Sequence, residues 1–332
     1  MPEKLLEIEN LKTSFYTEAG EVQAVRGVGF SLKKGEVYGI VGESGSGKSV
    51  MAKSIISLIQ PPGKIKEGSI RLRGENLLQK KEKDLQKIRG NEIAMISQDP
   101  MSALNPVVKI GKQLTEVIIR HRRVGKKEAY LIAAQLLRQV GISSPEERLQ
   151  QYPHELSGGM KQRIMIAMAI SCRPEVLIAD EPTTALDVTI QAQILDLMKE
   201  LIEKENMAIL LITHDLGVVA QNCERVLVMY GGLIMEEGPV KDLFQNPKHP
   251  YTEGLLKSLP KRSDTGKERL IPIQGSPPDL LNPPKGCPFA GRCPYTMRIC
   301  EEKMPPYFDA GEGRRTMCWL HDDSRKEGEV HE

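Results

Sequence analysis

The feature that most constrains this chain is a glycine-rich stretch that closes with lysine and serine. Gly42-Glu43-Ser44-Gly45-Ser46-Gly47-Lys48-Ser49 fits the pattern G-x-x-x-x-G-K-[ST]. It follows the apolar run Val37 to Val41, and the residues from Lys48 to about Ile59 have helical spacing. In such a loop, consecutive backbone N–H groups point at phosphate oxygens, and the positive end of the helix dipole lies behind them. An ordinary glycine-rich turn is the weaker alternative, so the sequence predicts a site for a nucleotide polyphosphate.

Each residue of this loop has an expected contact with the nucleotide or with its metal ion. Lys48 is expected to reach the β- and γ-phosphates, and Ser49 to offer its hydroxyl to Mg²⁺. The residues of this stretch predicted to bind the nucleotide are Gly42, Ser44, Gly45, Ser46, Gly47, Lys48, Ser49 and Val50.

A second part of the site is predicted at the end of a later strand. The apolar run Val176 to Ala179 is followed by Asp180, at the sheet edge where open α/β proteins bind ligands. Asp180 is expected to hold Mg²⁺ through water, and Glu181 to polarise the attacking water as general base. An Asp-Glu pair after a strand is by itself more often a helix N-cap. Its combination with the glycine-rich loop is what favours catalysis.

The composition is that of a soluble globular chain and argues against several functions. Of 332 residues, 27% are charged and 40% apolar, and the net charge is +2, so neither disorder nor a nucleic-acid partner is predicted. Aromatic residues at 4% argue against base stacking on single strands. The longest apolar run, Ile164 to Ile170, is far shorter than the ~20 residues of a membrane span. Because Met1 to Lys4 show no signal pattern, a cytosolic location is expected.

Strand and helix patterns alternate over the first 250 residues. Strands are predicted at Val37–Val41, Ile93–Ser97, Val176–Ala179, Ala208–Thr213 and Arg225–Met229. Helical spacing is found at Lys48–Ile59, Leu114–Arg123, Lys127–Val140, Gly159–Ile170 and Val188–Glu205. This alternation predicts an α/β fold with a parallel sheet, into which residues 100–172 insert a mostly helical subdomain.

Further motifs resemble those of one family and occur in that family's order. Leu156-Ser157-Gly158-Gly159-Met160 is similar to the signature Leu-Ser-Gly-Gly-Gln of the ATP-binding subunits of ABC transporters, and departs from it at Met160. Gln98 resembles the family's glutamine between the core sheet and the helical subdomain. Asp187 lies in the loop after the acidic pair, and His214 resembles the histidine at the end of the next strand. The resemblance extends over most of residues 1–250.

The resemblance implies a fold and a role for each matching residue. The fold would be a P-loop NTPase of the ABC type, with a parallel-sheet core, an antiparallel N-terminal β part and an inserted helical subdomain. Gln98 would contact Mg²⁺ and the γ-phosphate, and His214 would bond the γ-phosphate and orient the water held by Glu181. Either Phe15 or Tyr16 would stack on adenine.

The resemblance also implies partners. In this family the signature, here Ser157, Gly158 and Gly159, contacts ATP bound by the other subunit, and Asp187 lies nearby. A second ABC ATPase subunit is therefore expected, as a heterodimer, together with two transmembrane permease subunits and an extracytoplasmic peptide-binding protein. The chain would be peripheral, at the cytoplasmic face of the cell membrane, without nucleic acid.

The sequence after His249 narrows the resemblance. His249-Pro250-Tyr251-Thr252, Leu255-Leu256, Leu259-Pro260 and Gly275-Ser276-Pro277-Pro278 are similar to the extension of the dipeptide and oligopeptide importers. The implied function is ATP hydrolysis that powers peptide import. Nickel importers share much of this pattern and stay an alternative. A soluble ABC ATPase acting on ribosomes or DNA is a remote one, because the chain has a single phosphate loop.

Residues 251–332 are predicted to form a small loop-rich domain after an ATPase domain of residues 1–250. The nine prolines from Pro272 to Pro306 exclude long helices and central strands there, so little core is expected from the region's own side chains. Four cysteines are expected to hold the region together: Cys287, Cys293, Cys300 and Cys318. A [4Fe–4S] cluster takes four thiolates, and the resemblance adds to this expectation. Zinc is the main alternative, although close cysteine pairs are missing, and disulfides are third because the cytosol is reducing.

Overall fold

The structure is a computed structural model that describes residues 4–99, 103–182, 188–259, 272–311 and 313–322. The chain divides into two compact units whose stretches alternate along the sequence. The first unit comprises Met1–Leu6, Leu32–Val37 and Leu72–Ile212. The second comprises Glu7–Ser31, Tyr38–Arg71 and Thr213–Glu332.

The described strands and helices follow one another as strand–helix repeats with a helical stretch in the middle. The strands are β1 Lys4–Thr17, β2 Gly20–Lys33, β3 Val37–Val41, β4 Gly63–Leu72, β5 Glu75–Asn76, β6 Ile93–Ile96, β7 Val176–Asp180, β8 Ala208–Ile212, β9 Arg225–Tyr230, β10 Leu233–Pro239, β11 Phe308–Asp309 and β12 Arg315–Thr316. The helices are α1 Lys48–Ile55, α2 Glu82–Ile88, α3 Ile110–Arg122, α4 Lys126–Gln139, α5 Pro145–Gln150, α6 Gly158–Ile170, α7 Val188–Glu205, α8 Leu216–Asn222, α9 Val240–Gln245, α10 Pro250–Lys257 and α11 Arg298–Glu302.

The first unit contains a parallel sheet in the order β6, β7, β8. Its register pairs Ile96 with Ala179 and Asp180 with Ile212. Every residue of β7 and β8 is buried, which is why both strands are continuous apolar runs. Because the strands are parallel, the residues that follow them emerge at one edge of the sheet.

Helices α3 to α6 form the helical part of the first unit and lie where the sequence predicted one. Helix α3 packs closely on α5, since a Cβ on Gly111 would lie 2.7 Å from the carbonyl oxygen of Leu149. Helix α5 begins with Pro145, whose fixed φ suits a first helical position. Arg163 of α6 donates to the carbonyl oxygens of Val140 and Gly141 at 3.2 and 2.6 Å. The α/β class with an inserted helical part is thus confirmed.

The second unit contains the phosphate-loop strand and the C-terminal strands. Strand β3 runs parallel to β9, with Ile40 beside Leu227. Strand β9 is antiparallel to β10, which in turn pairs with β12, and β12 with β11. In the same unit the order of the N-terminal strands is β2, β1, β4. Between Pro272 and Pro306, a stretch that the structure describes in full, there is no strand, as the prolines predict, and the short strands β11 and β12 follow this stretch.

Two details differ from the predicted elements. Helix α1 ends at Ile55, four residues before the predicted end, because Ser57 adopts a left-handed conformation with φ of 53° and terminates it. The region after residue 272 also packs on strands β9 and β10, a contact that the sequence did not predict. Phe289 and Met317 join a core with Tyr230 and Tyr251, and the N–H of Met317 donates to the carbonyl of Met235 at 2.8 Å.

Candidate active site

The phosphate loop of the second unit depends on glycine at two positions for two reasons. Gly42 and Gly47 both have positive φ, 153° and 101°. A Cβ at Gly42 would lie 2.2 Å from the carbonyl oxygen of Met229, and one at Gly47 would lie 2.3 Å from that of Ala24. No side chain fits at either position, and both conformations disfavour one. Strand β9, which contains Met229, and strand β2, which contains Ala24, therefore leave no room for a side chain at these two positions of the phosphate loop.

Lys48 lies inside the curl of this loop. Its side chain is buried, and Nζ donates to the carbonyl oxygens of Gly42 and Glu43 at 2.6 and 2.8 Å and approaches Oγ of Ser46 at 3.2 Å. The ammonium group is thus held at the centre of the curve formed by the loop, at the start of α1. A positive charge there, next to the first amides of a helix, suits a bound phosphate.

The two aromatic candidates for adenine stacking differ in exposure. Phe15 is partly buried, and its ring lies so close to Gly63 that a Cβ there would be 2.7 Å away. Tyr16 is 42% exposed, and its backbone N–H donates to the carbonyl of Pro62 at 3.1 Å. Since neighbouring residues of a strand face opposite sides, the ring of Tyr16 is the more accessible one.

In the first unit, three predicted residues meet at the ends of β6 and β7. Asp180 is the last residue of β7 and is buried. Glu181 follows with φ of 49°, and its N–H donates to the carbonyl of Ile212 at 2.8 Å. Nε2 of Gln98 donates to Oε2 of Glu181 at 3.0 Å. The structure therefore brings the proposed base and the glutamine into direct contact.

The signature residues form the N-terminus of α6. Oγ of Ser157 accepts from the N–H of Met160 at 3.3 Å, which caps the helix. Ser157 and Gly158 are exposed, and a Cβ on Gly158 would meet no atom within 4 Å. One turn on, the buried Gln162 donates to the carbonyl of Pro182 at 2.6 Å. This contact, which the motif search did not include, joins α6 to the segment after Glu181.

His214 lies in the second unit, just after β8, and is exposed. The preceding Thr213 donates its N–H to the carbonyl of Ile40 at 3.1 Å. The following Asp215 caps α8, accepting from Gly217 and Val218 at 2.8 and 3.2 Å. These flanking bonds fix the backbone on both sides of His214. Of the other predicted residues, Ser49 and Val50 lie in the first turn of α1, and Asp187 lies outside the described residues.

The four C-terminal cysteines line one small cavity of about 10 Å³, roughly the room that one water needs. All four are free thiols, so the disulfide alternative is not formed. The N–H of Cys287 donates to the carbonyl of Cys300 at 2.7 Å. Burial raises the pKa of Cys287 to about 12 and that of Cys318 to about 11, and the neighbouring cysteines act in the same direction.

These thiols meet part of what a metal cofactor requires. Their number and type are those of a four-thiolate site, and Phe289 and Trp319 at the cavity wall keep it apolar. Within the described ranges, no group of three or more His, Cys, Asp or Glu side chains is arranged to hold a metal ion. The arrangement of the described residues therefore gives no support either to the predicted [4Fe–4S] cluster or to the zinc alternative.

Sequence reasoning missed Glu43, the second residue of the loop. Its backbone N–H donates to the hydroxyl of Tyr251, and its carboxylate forms an ion pair with Arg292. Position 43 is unrestricted in the motif, and both partners lie more than 200 residues away. The local sequence therefore contains no signal for these contacts.

Two family models match parts of the chain. Residues 25–184 match the family described as "ABC transporter", and residues 235–300 match "Oligopeptide/dipeptide transporter, C-terminal region". The oligopeptide transport ATP-binding protein OppD of Bacillus subtilis is 54% identical, over 97% of this chain and 91% of its own length. The dipeptide transport ATP-binding protein DppD of the same organism is 53% identical, over 96% of each chain.

Solved structures show the same fold. The dimeric structure of MJ0796, a bacterial ABC transporter cassette, matches 71% of this chain and 98% of its own, with 27% identity and a TM-score of 0.65. The structure of cbiO1 from Clostridium perfringens, part of an ABC transporter complex, matches 74% of this chain and 92% of its own, with 26% identity and a TM-score of 0.60. Among the described helices, none combines the length and apolar character needed to cross a membrane.

Proposed function

The chain belongs to the ATP-binding subunits of the oligopeptide and dipeptide ABC importers, and from this premise we propose how its residues power peptide import. It is an ATPase, and its hydrolysis of ATP drives the uptake of peptides by an ABC transporter. The observation that carries the catalytic part is the 3.0 Å hydrogen bond between Gln98 and Glu181, at the ends of parallel strands β6 and β7. Nickel import is the less favoured alternative, because the two relatives described above are named as peptide transport proteins.

The proposed roles follow from the chemistry of each side chain. Lys48 and the amides of the phosphate loop bind the β- and γ-phosphates, and Tyr16 stacks on adenine. Mg²⁺ is held by Ser49, Asp180 and Gln98, three oxygen donors of the kind that this ion prefers. When bound, the ion neutralises charge that develops on the phosphates.

Hydrolysis requires a base and a group that orients the nucleophile. Glu181 is the base that polarises the attacking water, and the bond from Gln98 holds its carboxylate in one orientation. His214 binds the γ-phosphate and orients the same water. The left-handed backbone at Glu181 supports this assignment, because strained conformations of non-glycine residues concentrate at functional sites.

The exposed signature supports a proposal about partners. Ser157, Gly158 and Gly159 contact ATP held by a second ABC ATPase subunit, and Asp187 lies at the same interface. Two permease subunits and an extracytoplasmic peptide-binding protein complete the transporter, with this chain at the cytoplasmic face of the membrane. Exposed backbone at a helix N-terminus is suited to an anionic group supplied by another chain.

The test is to express the chain with its candidate permease, ATPase and binding-protein partners and to reconstitute the purified complex in lipid vesicles. ATP hydrolysis should rise when a peptide and the binding protein are added, and labelled peptide should move across the membrane. Stimulation by nickel and not by peptides would overturn the proposed substrate class. ATP hydrolysis by the chain alone at the full rate of the complex would overturn the partner requirement.

We further propose that Cys287, Cys293, Cys300 and Cys318 bind one [4Fe–4S] cluster that holds the C-terminal region together. Support comes from the number and type of the four free thiols and from the apolar cavity that they share, which has room for about one water and would have to widen to admit the cluster. Anaerobic purification followed by iron, sulfide and zinc analysis tests the proposal. Brown protein that loses its colour in Cys293→Ser would support the cluster. Colourless protein with one zinc per chain would refute it.

A further inference from the structure

The phosphate loop and the C-terminal region of the second unit meet at one residue, Glu43. The hydroxyl of Tyr251 accepts the backbone N–H of Glu43 at 2.8 Å. Nη1 of Arg292 lies 2.7 Å from Oε2 of Glu43, and Nη2 lies 3.1 Å from Oε1. Two parallel bonds of this kind fix direction as well as distance, because the guanidinium and carboxylate planes must align. Both the backbone and the side chain of Glu43 are thus held by residues from beyond position 250.

Arg292 is itself immobilised. Its side chain is only 7% exposed, and Nε donates to the carbonyl of Gln274 at 2.8 Å. Nη2 also donates to the carbonyl of Ile273 at 3.0 Å, and Nη1 to the hydroxyl of Tyr230 at 3.1 Å. All three guanidinium nitrogens are used, so the group cannot swing away without breaking several bonds. This differs from an exposed ion pair, in which both side chains move freely.

Tyr251 is fixed in a similar way by packing. It is fully buried, and its ring centroid lies 4.5 Å from that of Tyr230 and 5.3 Å from that of Phe289. Burial raises the pKa of its hydroxyl well above the usual value, so the group stays neutral and accepts from the N–H of Glu43. The acceptor for the Glu43 amide is therefore at a fixed position.

The two peptide groups that meet at Glu43 both turn their carbonyl oxygens toward Lys48. The carbonyl of Gly42, in the same peptide group as the Glu43 N–H, accepts from Nζ of Lys48 at 2.6 Å. The carbonyl of Glu43, in the next peptide group, accepts from Nζ of Lys48 at 2.8 Å and from the N–H of Ser46 at 3.2 Å. The bond from the Glu43 N–H to Tyr251 orients the first of these peptide groups, and the ion pair with Arg292 holds the side chain between the two, so both contacts act on the position of the lysine ammonium.

We propose that Arg292 and Tyr251 are positioning residues for the phosphate loop, acting through Glu43, so that the C-terminal region sets the affinity of this chain for ATP. The inference rests on the proposed ATP site. Neither residue touches the nucleotide in this proposal. Removing either side chain deletes no phosphate-binding group, but it lets the free loop relax. ATP must then order the loop when it binds, and that cost lowers the affinity.

The test measures binding of Mg²⁺–ATP to the full chain by titration calorimetry. Arg292→Gln and Glu43→Gln should each raise the dissociation constant about tenfold, the usual worth of a charge-assisted hydrogen bond. Arg292→Lys should recover little, because an ammonium group cannot form the two parallel bonds. Tyr251→Phe should weaken binding less, since it removes one neutral bond. Arg298→Gln is the matched control, because Arg298 is 90% exposed and pairs only with its own helix neighbour Glu302.

A double variant and two reference measurements make the outcome decisive. Because Arg292 and Glu43 act as one unit, Arg292→Gln with Glu43→Gln should bind ATP no more weakly than either single variant. In the assembled transporter, Arg292→Gln and Glu43→Gln should each raise KM for ATP and leave kcat within about twofold. A folded Arg292→Gln chain that binds ATP as the unaltered chain does, while Lys48→Ala binds it more weakly, would overturn this inference alone. If the unaltered chain fails to bind ATP, the proposed function falls with it.

Discussion

Glu181 illustrates how a single residue can combine strain with chemistry. Its φ of 49° is uncommon for a residue with a side chain, and its N–H and carboxylate are both bonded, to Ile212 and Gln98. Replacing it by glutamine keeps the shape and the backbone contact but removes the basic oxygen.

Glu181→Gln should keep ATP binding and lower turnover by about 10²- to 10⁴-fold, the usual contribution of a positioned base. Calorimetry and phosphate release by the assembled transporter check the two parts. Glu200→Gln is the control, since Glu200 is an exposed residue of α7 paired with Lys204. Turnover at the unaltered rate would remove Glu181 from the catalytic role.

Lys48→Ala should act on binding instead. The lost ammonium faces the position of the phosphates, so the dissociation constant for ATP should rise roughly 10- to 100-fold. Lys53→Ala, on the exposed side of the same helix, should leave it unchanged. Equal affinities of the two variants would contradict the placement of phosphate at Lys48.

Among single residues, the sequence predicted those that belong to a motif and missed those that hold the motif in position. Lys48, Asp180 and Glu181 follow from pattern and position alone. Gln162 and Arg292 do not, because their partners, Pro182 and Glu43, are reached only after the chain has folded.

Among the secondary-structure elements, β10 joins the C-terminal region to the rest of the second unit. Glu236 of β10 is completely buried, and its carboxylate accepts from Arg314 and from the N–H groups of Lys248 and His249 at 2.8 to 3.0 Å. Two consecutive buried glutamates in one strand are unusual, and the next one, Glu237, pairs with Arg225 and Arg315. The ion pairs of Glu236 with Arg314 and of Glu237 with Arg315 therefore help to hold β12 against β10.

Arg314→Met should lower the free energy of unfolding by about 3–5 kcal/mol, because it leaves the Glu236 carboxylate buried without its cation. Adding Glu236→Gln should recover part of the loss, since the remaining group is neutral. Urea unfolding followed by intrinsic fluorescence measures both. Glu302→Gln, which breaks an exposed pair, should change stability by less than about 1 kcal/mol.

Strands that are buried on both faces were predicted from the sequence. Helix ends and strand pairings that depend on tertiary contacts were not. Strands β7 and β8 were predicted to within one residue because uninterrupted apolar runs are typical of buried parallel strands. The early end of α1 depends on the backbone of Ser57, which no periodicity signals. The attachment of β12 depends on Arg314 and Glu236, two charged residues that a hydrophobic pattern assigns to the surface.

For the whole molecule, the exposed N-terminus of α6 gives a test of assembly. Gly158 has open space around it and no unusual φ, so a side chain can be added without strain. Gly158→Asp would bring a carboxylate to the proposed contact with ATP on the partner ATPase, where like charges repel.

Gly158→Asp should leave ATP binding by the isolated chain within about twofold, and should lower turnover of the assembled transporter at least tenfold by charge repulsion. Gly158→Asn, of the same size but neutral, should retain more activity than the aspartate variant. Calorimetry on the chain and phosphate release by the complex supply the two measurements. Loss of ATP binding by the isolated chain would instead place Gly158 at this chain's own nucleotide.

The order in which the second unit is built along the chain has a consequence for biosynthesis. Glu43 leaves the ribosome long before its partners, since Tyr251 follows 208 positions later and Arg292 follows 249 positions later. At roughly 5–20 residues per second, that interval lasts on the order of ten to fifty seconds. During it, the nascent phosphate loop lacks the bonds that hold the backbone N–H and the carboxylate of Glu43. High affinity for ATP would then be a property of finished chains, and a prematurely terminated polypeptide would compete poorly for the nucleotide and for a place in the transporter.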